Sequence, residues 1–307
     1  MKNTINFYYN IFLDELIKKD NCYYFYYGGD EYYFVPLNRP YDDVQGIYKL
    51  NLEMKKRKCL VHELILNKDK SIITVVNGIS YVLIKLCKYK NDKVFLNDIN
   101  YIQNMTVNIE CDKSLVRNDW IKLWSEKIDY YEYQISQVGK KYPLLCDSLS
   151  YFIGMGENAI SYLVNNLDSK SNVNLVVSHK RIYQERGSLN FYDPLNFVVD
   201  SRVRDVAEFI KETFYNKTLN LYDLKSYFNM ANLNKNEYIL LLGRLLFPTY
   251  YFDIYDDIIN KGKSEELVVN IIDRTDEYES LLNTIYKFIL YEKKARLEPI
   301  EWLQDKN

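Results

Sequence analysis

The pattern of apolar residues changes near Trp120 and divides the sequence into two parts of different character. Before this point, short runs rich in Tyr, Phe, Val and Ile are joined by Gly28-Gly29 and by Asn77-Gly78, and such turns between alternating runs predict β-hairpins. After it, apolar residues recur at the spacing of amphipathic helices. The sequence therefore predicts an α+β fold with a small β-rich N-terminal lobe and a larger helical C-terminal lobe.

The predicted lobes are residues 1–112, an N-terminal helix followed by the β-rich part, and residues 113–307, the helical part. In the first lobe, the apolar spacing predicts one helix over residues 4–18 and another over residues 43–66. The short run KVFL, residues 93–96, is consistent with a further strand. The helix over residues 43–66 would then be inserted between the two hairpins.

The second lobe is predicted to begin with a long helix capped by Asn118 or Asp119. A second helical region, residues 147–167, contains Gly154-Met155-Gly156, which predicts an interruption. Residues 175–200 have the composition of short strands and loops. Three further helices follow, and Pro248 is predicted to end the second of them.

Composition excludes several classes of function. The 40 Lys and Arg residues are balanced by 42 Asp and Glu, so the net charge of -2 argues against a nucleic-acid-binding protein. The five cysteines are far apart and form no CxxC pair, which argues against a zinc site and indicates reduced thiols in a cytosol-like compartment. No apolar run approaches the roughly 20 residues that a membrane-spanning helix needs, so no membrane insertion is expected.

Tyrosine is unusually abundant, with 31 residues against 14 phenylalanines. Asn, Lys and Ile are also plentiful, and this combination is the residue bias that an AT-rich genome imposes. A second interpretation is an amphipathic surface suited to assembly with other proteins. The sequence carries no pattern that sets an oligomeric state.

Several strings of residues occur in an order that resembles the spore-coat-associated kinase-like family of endospore formers, the YutH and CotS type. They are DWIKLW (119–124), SYFIGMGENAISYLVNN (150–166), SHKRI (178–182), DSRVRDVAEFI (200–210), GRLLFPTYYFD (243–253) and EPIEWL (298–303). That family is related to aminoglycoside phosphotransferases and choline kinases. The resemblance implies the two-lobe protein-kinase-like fold.

The resemblance also implies a catalytic loop of the form H-x-D, four residues, then N, in which the Asp deprotonates the acceptor hydroxyl and the Asn holds magnesium. With His179 on the motif histidine, Arg181 stands where the Asp belongs and Arg186 where the Asn belongs. His179 itself is more typical of a hydrogen-bonded loop anchor than of a catalyst. The loop is therefore predicted to be degenerate.

The magnesium-binding Asp that follows such a loop has no clear counterpart. Asn190 and Asp193 are the nearest options, and neither stands in a D-F-G or I-D-F context. Asp200 and Asp205 match instead the segment that opens the next helix, where the acid braces the catalytic loop or caps the helix. Asp205 is predicted to be that brace, and Asp193 and Asp200 remain weak candidates for cofactor binding.

The N-terminal lobe departs from the family pattern in the same direction. The strand expected to carry the nucleotide-binding Lys reads EYYFVPL, with Val35 and Pro36 in its place. Glu63 is a weak candidate for the helix Glu that would pair with such a lysine. Gly28-Gly29 is a hairpin turn rather than a phosphate-covering loop.

These observations predict a pseudokinase that serves as a structural or interaction component of the endospore coat, with other coat proteins as partners. It would be made in the cytoplasm and reach the coat or the forespore surface, and it would use no cofactor. One alternative is an atypical phosphotransferase that acts on a small molecule or a coat protein with ATP and Mg²⁺, using Asp193 or Asp200 as metal ligands. The other is a non-catalytic sensor of a nucleotide or small anion, with Arg181 and Arg186 binding the anion.

Overall fold

The computed structural model describes residues 1–89, 91–168, 173–300 and 303, so that Glu301 and Trp302 of the EPIEWL similarity lie outside the described residues. The chain forms two units, one of Met1–Arg117 with Leu175–Asp200 and the other of Asn118–Asn174 with Ser201–Asn307. The first unit is therefore built from two separate segments of chain. The predicted lobe boundary after residue 112 stays a prediction.

Most strands lie in the first unit and most of the long helices in the second. The strands are β1 (Ile17–Lys19), β2 (Cys22–Tyr27), β3 (Asp30–Pro36), β4 (Glu63–Ile65), β5 (Ile73–Val76), β6 (Ile79–Lys85), β7 (Leu175–His179) and β8 (Phe197–Ser201). The α-helices are α1 (Lys2–Tyr9), α2 (Asp43–Lys56), α3 (Leu96–Thr106), α4 (Trp120–Val138), α5 (Pro143–Asn166), α6 (Gly187–Phe191), α7 (Val203–Tyr215), α8 (Leu221–Ala231), α9 (Lys235–Leu246), α10 (Thr249–Lys261), α11 (Val269–Ile272) and α12 (Thr275–Tyr291).

Two hairpins organise the main sheet of the first unit. Its strand order is β1-β2-β3-β6-β4, all antiparallel, with β5 also paired to β6. Gly28 and Gly29 join β2 to β3, and Asn77 and Gly78 join β5 to β6, all four at positive φ. Both predicted hairpins are confirmed, because these turns need backbone conformations that Gly and Asn adopt most readily.

Two predicted helices of the first unit are shorter than the apolar spacing suggested. The helix expected over residues 4–18 ends at Tyr9, because Asn10 takes a left-handed conformation with φ 54°. The helix expected over residues 43–66 ends at Lys56, and Lys58 has φ 58°. In both cases the apolar residues that follow contribute to the core from outside the helix.

The run KVFL does not form the strand that was predicted. The backbone N–H of Phe95 donates to Asp98 Oδ2 at 2.9 Å, and α3 begins at Leu96. An acid three residues beyond the N-cap is a helix-start pattern, and it decides this segment against its β propensity.

In the second unit, α5 runs without a break through Gly154 and Gly156, so the predicted interruption is wrong. A Cβ at Gly156 would lie 2.9 Å from Ile128 Cδ1, whereas one at Gly154 would meet nothing within 4 Å. Gly156 therefore permits close packing of α5 on α4 instead of breaking the helix. The predicted start of α4 is confirmed, with Asp119 at the N-cap position, but the Asp119 side chain makes no capping hydrogen bond. Pro248 is the N-cap of α10, and α9 ends before it at Leu246.

No helix within the described ranges is both long enough and apolar enough to cross a membrane.

Candidate functional site

The segment between β7 and β8 carries the residues that sequence analysis singled out. His179 ends β7 and is 1% exposed, and its Nε2 donates to the carbonyl oxygen of Phe191 at 2.7 Å. Its ring also stacks on the Phe191 ring, with centroids 4.4 Å apart. This is the geometry of a loop anchor, because the imidazole holds the far end of the segment against β7.

The side chains of the two arginines in this segment lie in different surroundings. Arg181 is partly buried, and its Nη1 donates to the carbonyl oxygen of Lys180 at 2.7 Å. The carbonyl oxygen of Arg181 accepts from Asn196 Nδ2 at 3.0 Å. Arg186 is exposed, and its guanidinium lies over the Tyr183 ring at 4.4 Å. These contacts do not join Arg181 to Arg186, and the role of the two arginines in binding an anion stays a prediction.

Asp193 lies at the start of a short 3-10 turn, Pro194–Asn196, that leads into β8. Its Oδ1 accepts from the backbone N–H of Leu195 at 2.9 Å. Burial raises the pKa of Asp193 to about 6, and the positive charges of Lys180 and then Arg39 oppose that rise. This carboxyl group is therefore partly buried in cationic surroundings.

Asp200 and Asn190 are the other acid and amide that the sequence offered as metal ligands. Asp200 lies within β8 and has no exposed surface. Asn190 Oδ1 lies 3.3 Å from Asn196 Nδ2, inside the same loop. The backbone N–H of Asp193 donates to the carbonyl oxygen of Asn190 at 3.4 Å.

Sequence analysis missed a buried ion pair that contacts this turn. Arg39, just after β3, donates through Nη1 to the carbonyl oxygens of Leu195 at 3.2 Å and Phe197 at 2.5 Å. Its Nη2 donates to Asp43 Oδ2 at 3.0 Å, at the start of α2. The spacing of four between Arg39 and Asp43 could have indicated a pair, but no local pattern indicates contacts to residues more than 150 positions away.

Lys180 is a second residue that sequence analysis passed over, although it lies between His179 and Arg181. Its backbone N–H donates to the carbonyl oxygen of Asn196 at 2.8 Å. Burial, followed by the positive charge of Arg39, lowers the pKa of Lys180 to about 8. Its side chain is thus one of several cations around the turn.

Val35, which is in the strand where the family pattern expects the nucleotide-binding lysine, lies in β3 and is buried. Glu63 does not lie on a helix, as its candidate role required, because α2 has ended and Glu63 begins β4. It forms an ion pair with Lys55. On the neighbouring strand Lys85 pairs with Asp30 at 2.5 Å. The described residues of this sheet therefore contain no strand lysine paired with a helix glutamate.

Asp205 lies in the second unit and is 1% exposed in the first turn of α7. It is not the helix cap, because α7 begins at Val203 with Arg202 at the N-cap position. Arg202 forms a bidentate ion pair with Glu237, with N–O distances of 2.6 and 2.7 Å. The role of Asp205 as a loop brace stays a prediction.

Across the part of the chain that the structure describes, no three His, Cys, Asp or Glu side chains converge as a metal site would require.

The fold is that of kinase-like phosphotransferases. An aminoglycoside phosphotransferase from Alicyclobacillus acidocaldarius matches with a TM-score of 0.64 at 9% identity, covering 92% of this chain and 94% of that one. A spectinomycin phosphotransferase bound to AMP matches at 0.60 and 10% identity, covering 90% and 92%. A choline/ethanolamine kinase family protein from Mesorhizobium loti matches at 0.51 and 11% identity, covering 87% of each chain. At these identities the likeness shows the fold alone.

Sequence comparison is more specific. The chain is 30% identical over 207 residues to the endospore coat-associated protein YutH of Bacillus subtilis strain 168, which covers 60% of this chain. The match spans 61% of the length of that relative. A family model described as "Spore coat putative kinase YutH" matches residues 2–285, nearly the whole chain. The chain therefore belongs to this kinase-like spore coat family.

Proposed function

We propose that this chain is a non-catalytic kinase-like protein that serves as a structural and interaction component of the endospore coat. The observation that carries the proposal is the pair of arginines, Arg181 and Arg186, at the positions where a phosphotransferase needs an acid and an amide. The coat association of the Bacillus subtilis relative supports the location.

Electrostatics give the reason why these substitutions matter. A guanidinium stays protonated at any relevant pH, so it neither accepts a proton from an acceptor hydroxyl nor binds a metal ion. At an effective dielectric constant of about 20, two unit charges about 4 Å apart interact by about 4 kcal/mol. Arginine in place of Asp or Asn therefore opposes Mg²⁺ where the family's enzymes attract it.

The remaining groups do not fit a magnesium-bound nucleotide. Mg²⁺ prefers carboxylate and phosphate oxygens in near-octahedral geometry. Asp193 offers one carboxylate, and Lys180 and Arg39 already act on it. Asp200, the second ligand of the enzymatic alternative, has no exposed surface. We therefore propose that the protein works without ATP or Mg²⁺.

The surface is compatible with assembly into a protein layer. Among the described residues, five tyrosines far apart in the sequence are each more than two-thirds exposed: Tyr26, Tyr41, Tyr133, Tyr222 and Tyr291. Exposed aromatic side chains are enriched at protein–protein interfaces, since they bury a large area at a small cost in side-chain entropy. We propose other coat proteins as the partners of such surfaces.

Two measurements test the proposal. The purified full chain is expected to show no ATP consumption in Mg²⁺ and no rise in melting temperature on adding Mg-ATP. A fluorescent fusion expressed in sporulating cells is expected to form a ring around the forespore.

A melting shift that requires Mg²⁺ and is abolished by Arg181→Ala, or measurable ATP turnover, would support the phosphotransferase alternative instead. A shift with nucleotide or phosphate but without turnover would support the sensor alternative. Fluorescence spread evenly through the mother cell would contradict the coat location.

A further inference from the structure

The inner face of α1 is anchored in the core of the first unit. Ile5 is fully buried there, in one apolar cluster with Phe25 and Phe34 of the sheet. Ile11 and Leu13, just beyond the helix, belong to the same cluster. Close packing of this kind holds a helix in one orientation. The residues on the opposite face of α1 therefore keep fixed positions.

An open depression of about 470 Å³ lies against this outer face, which is the size of a site for a small molecule. It is lined by Asn3, Asn6, Phe7, Asn10, Phe12 and Lys68. Asn3, Phe7 and Asn10 follow one another at spacings of four and three residues, so they lie along one face of the helix. An aromatic ring is thus placed between two side-chain amides.

Two aromatic rings are exposed in the depression. Phe7 is 61% exposed and Phe12 is 75% exposed. The Lys68 ammonium lies 3.0 Å from the centre of the Phe7 ring, and the Lys68 backbone N–H donates to the carbonyl oxygen of Tyr8 at 2.7 Å. One face of Phe7 is therefore covered by a cation. Phe12 makes no ring or cation contact among the described residues, so its ring can pack against a ligand.

The polar groups of the lining are amides with free hydrogen-bonding capacity. Asn3 and Asn10 are exposed, and neither side chain has a hydrogen-bond partner within the described part of the chain. Each amide provides two N–H donors and one carbonyl acceptor. Of the lining residues, Lys68 alone is charged. The depression therefore combines aromatic carbon with donors and acceptors and carries little charge.

A neutral ligand with many hydroxyl groups matches this combination. A hydroxyl both donates and accepts, so it can pair with either end of an amide. The C–H groups on the face of a sugar ring carry slight positive charge and pack against the negative face of an aromatic ring. An apolar partner would instead leave the amides of Asn3 and Asn10 without hydrogen bonds, which is costly. An anion would find one cation, Lys68, already placed over Phe7.

We propose that this depression binds a neutral oligosaccharide, with Phe12 as the stacking surface and Asn3 and Asn10 as the hydrogen-bonding groups. The two amides are separated by about 10 Å along the helix axis, which is long enough for more than one sugar ring. This activity goes beyond the role of a coat component and does not depend on it, since the depression shares no residue with the segment between β7 and β8.

The test is saturation-transfer difference NMR of the full chain with maltotriose, cellotriose and chitotriose in turn. Wild type is expected to bind at least one of them with a Kd in the millimolar range or tighter. Phe12→Ala is expected to weaken that binding by about tenfold, because it removes the stacking surface. Phe95→Ala, the same substitution at another exposed phenylalanine of the first unit, is the matched control and should leave the affinity unchanged.

Two amide variants provide a second line of evidence and are chosen to keep the fold. Asn3→Ala preserves helix propensity. Asn10 has φ 54°, and Asn10→Gly preserves that left-handed backbone while removing the amide. Each is expected to weaken binding by about three- to tenfold, as the loss of one hydrogen bond implies. Phe12→Leu keeps an apolar side chain but loses the ring, and it should also bind more weakly than wild type.

Failure of wild type to bind any of the three sugars would overturn the proposal. So would binding that is unchanged in Phe12→Ala and in both amide variants, because the sugar would then lie elsewhere. Equal affinity of Phe12→Leu and wild type would refute the stacking on which the choice of ligand depends. Binding of adenosine with none of the sugars would assign the depression to a nucleobase and would also overturn the proposal.

Discussion

Each unit of the molecule contains a buried cluster of charge, and the two clusters are built differently. In the second unit, Glu208 on α7 lies between Arg244 Nε at 3.0 Å and Lys211 Nζ at 3.6 Å, and Lys211 also donates to Phe247 O and Thr249 Oγ1 at 2.9 Å. In the first unit, Arg39 keeps a buried Nε that has no hydrogen-bond partner among the described residues.

The two clusters differ in how completely their charged groups are paired with hydrogen-bond or ion-pair partners. The Glu208 cluster joins α7 to α9 and to the start of α10 through side chains that all have several partners. The cluster at Asp193 combines an excess of cations with an acid and a lysine whose pKa values are both shifted toward neutrality. The Glu208 cluster is typical of structural support, whereas the Asp193 cluster is typical of sites that change charge or ligand.

The largest effect is expected from Glu208→Ala. The substitution leaves Arg244 and Lys211 buried without their shared acid, which should lower the free energy of unfolding by about 3–5 kcal/mol. The midpoint of urea denaturation measures this loss. Glu157→Ala, at an exposed position of α5, is the control and should change stability by less than about 0.5 kcal/mol. Equal effects of the two variants would refute the structural role of the cluster.

A smaller loss, about 2–3 kcal/mol, is expected from Arg39→Met. The variant removes the bonds to Leu195, Phe197 and Asp43, but Arg117 stays near Asp43 and compensates part of the charge. The same substitution at the exposed Arg186 is the matched control and should be nearly neutral. A stability change at Arg186 as large as that at Arg39 would contradict the proposal that the hydrogen bonds of Arg39 to Leu195 and Phe197 stabilise the turn.

The smallest effect should appear in the pH dependence of stability. The pKa of Asp193 is raised to about 6 in the folded chain, above the value of about 3.9 expected when unfolded. Between these values the folded state binds more protons, so this group makes the protein less stable as pH rises from about 4 to about 6. Asp193→Asn keeps the bond from Leu195 N–H and removes that contribution.

Melting temperatures of wild type and Asp193→Asn across this pH range test the sign. The variant is expected to gain stability relative to wild type as pH rises, because its side chain no longer becomes charged inside the cluster. Parallel curves for the two proteins would show that Asp193 ionises as freely in the folded chain as in the unfolded one.

Features with a local cause were predictable from the sequence. The Gly28-Gly29 and Asn77-Gly78 turns predicted the hairpins, and Asp119 before Trp120 predicted the start of α4. Element ends were predicted poorly where one residue overrides the apolar spacing, as Asn10 does after α1. Gly156 led to the wrong prediction of a helix interruption, because the reason for a glycine there is a tertiary contact with Ile128 that the local sequence does not show.

The site could be predicted only in part for the same reason. The positions of His179, Arg181 and Arg186 follow from a motif that is contiguous in sequence. The contacts of Arg39 with residues 195 and 197 depend on tertiary folding, and nothing in the local sequence indicates them. Lys180 lies within the motif, but Arg39, Asp43 and Arg117, whose charges act on it, are distant in sequence.

The divided chain of the first unit has a consequence for biosynthesis. Arg39 leaves the ribosome 158 residues before Phe197, whose carbonyl oxygen it binds. At about 5–20 residues per second, roughly 8–30 s pass before that partner is translated. During this interval Arg39 lacks that partner, and α4 and α5 are translated before the partner is made. Slow translation or chaperone contact between residues 117 and 200 would therefore affect the yield of this unit more than that of a domain encoded in one continuous segment.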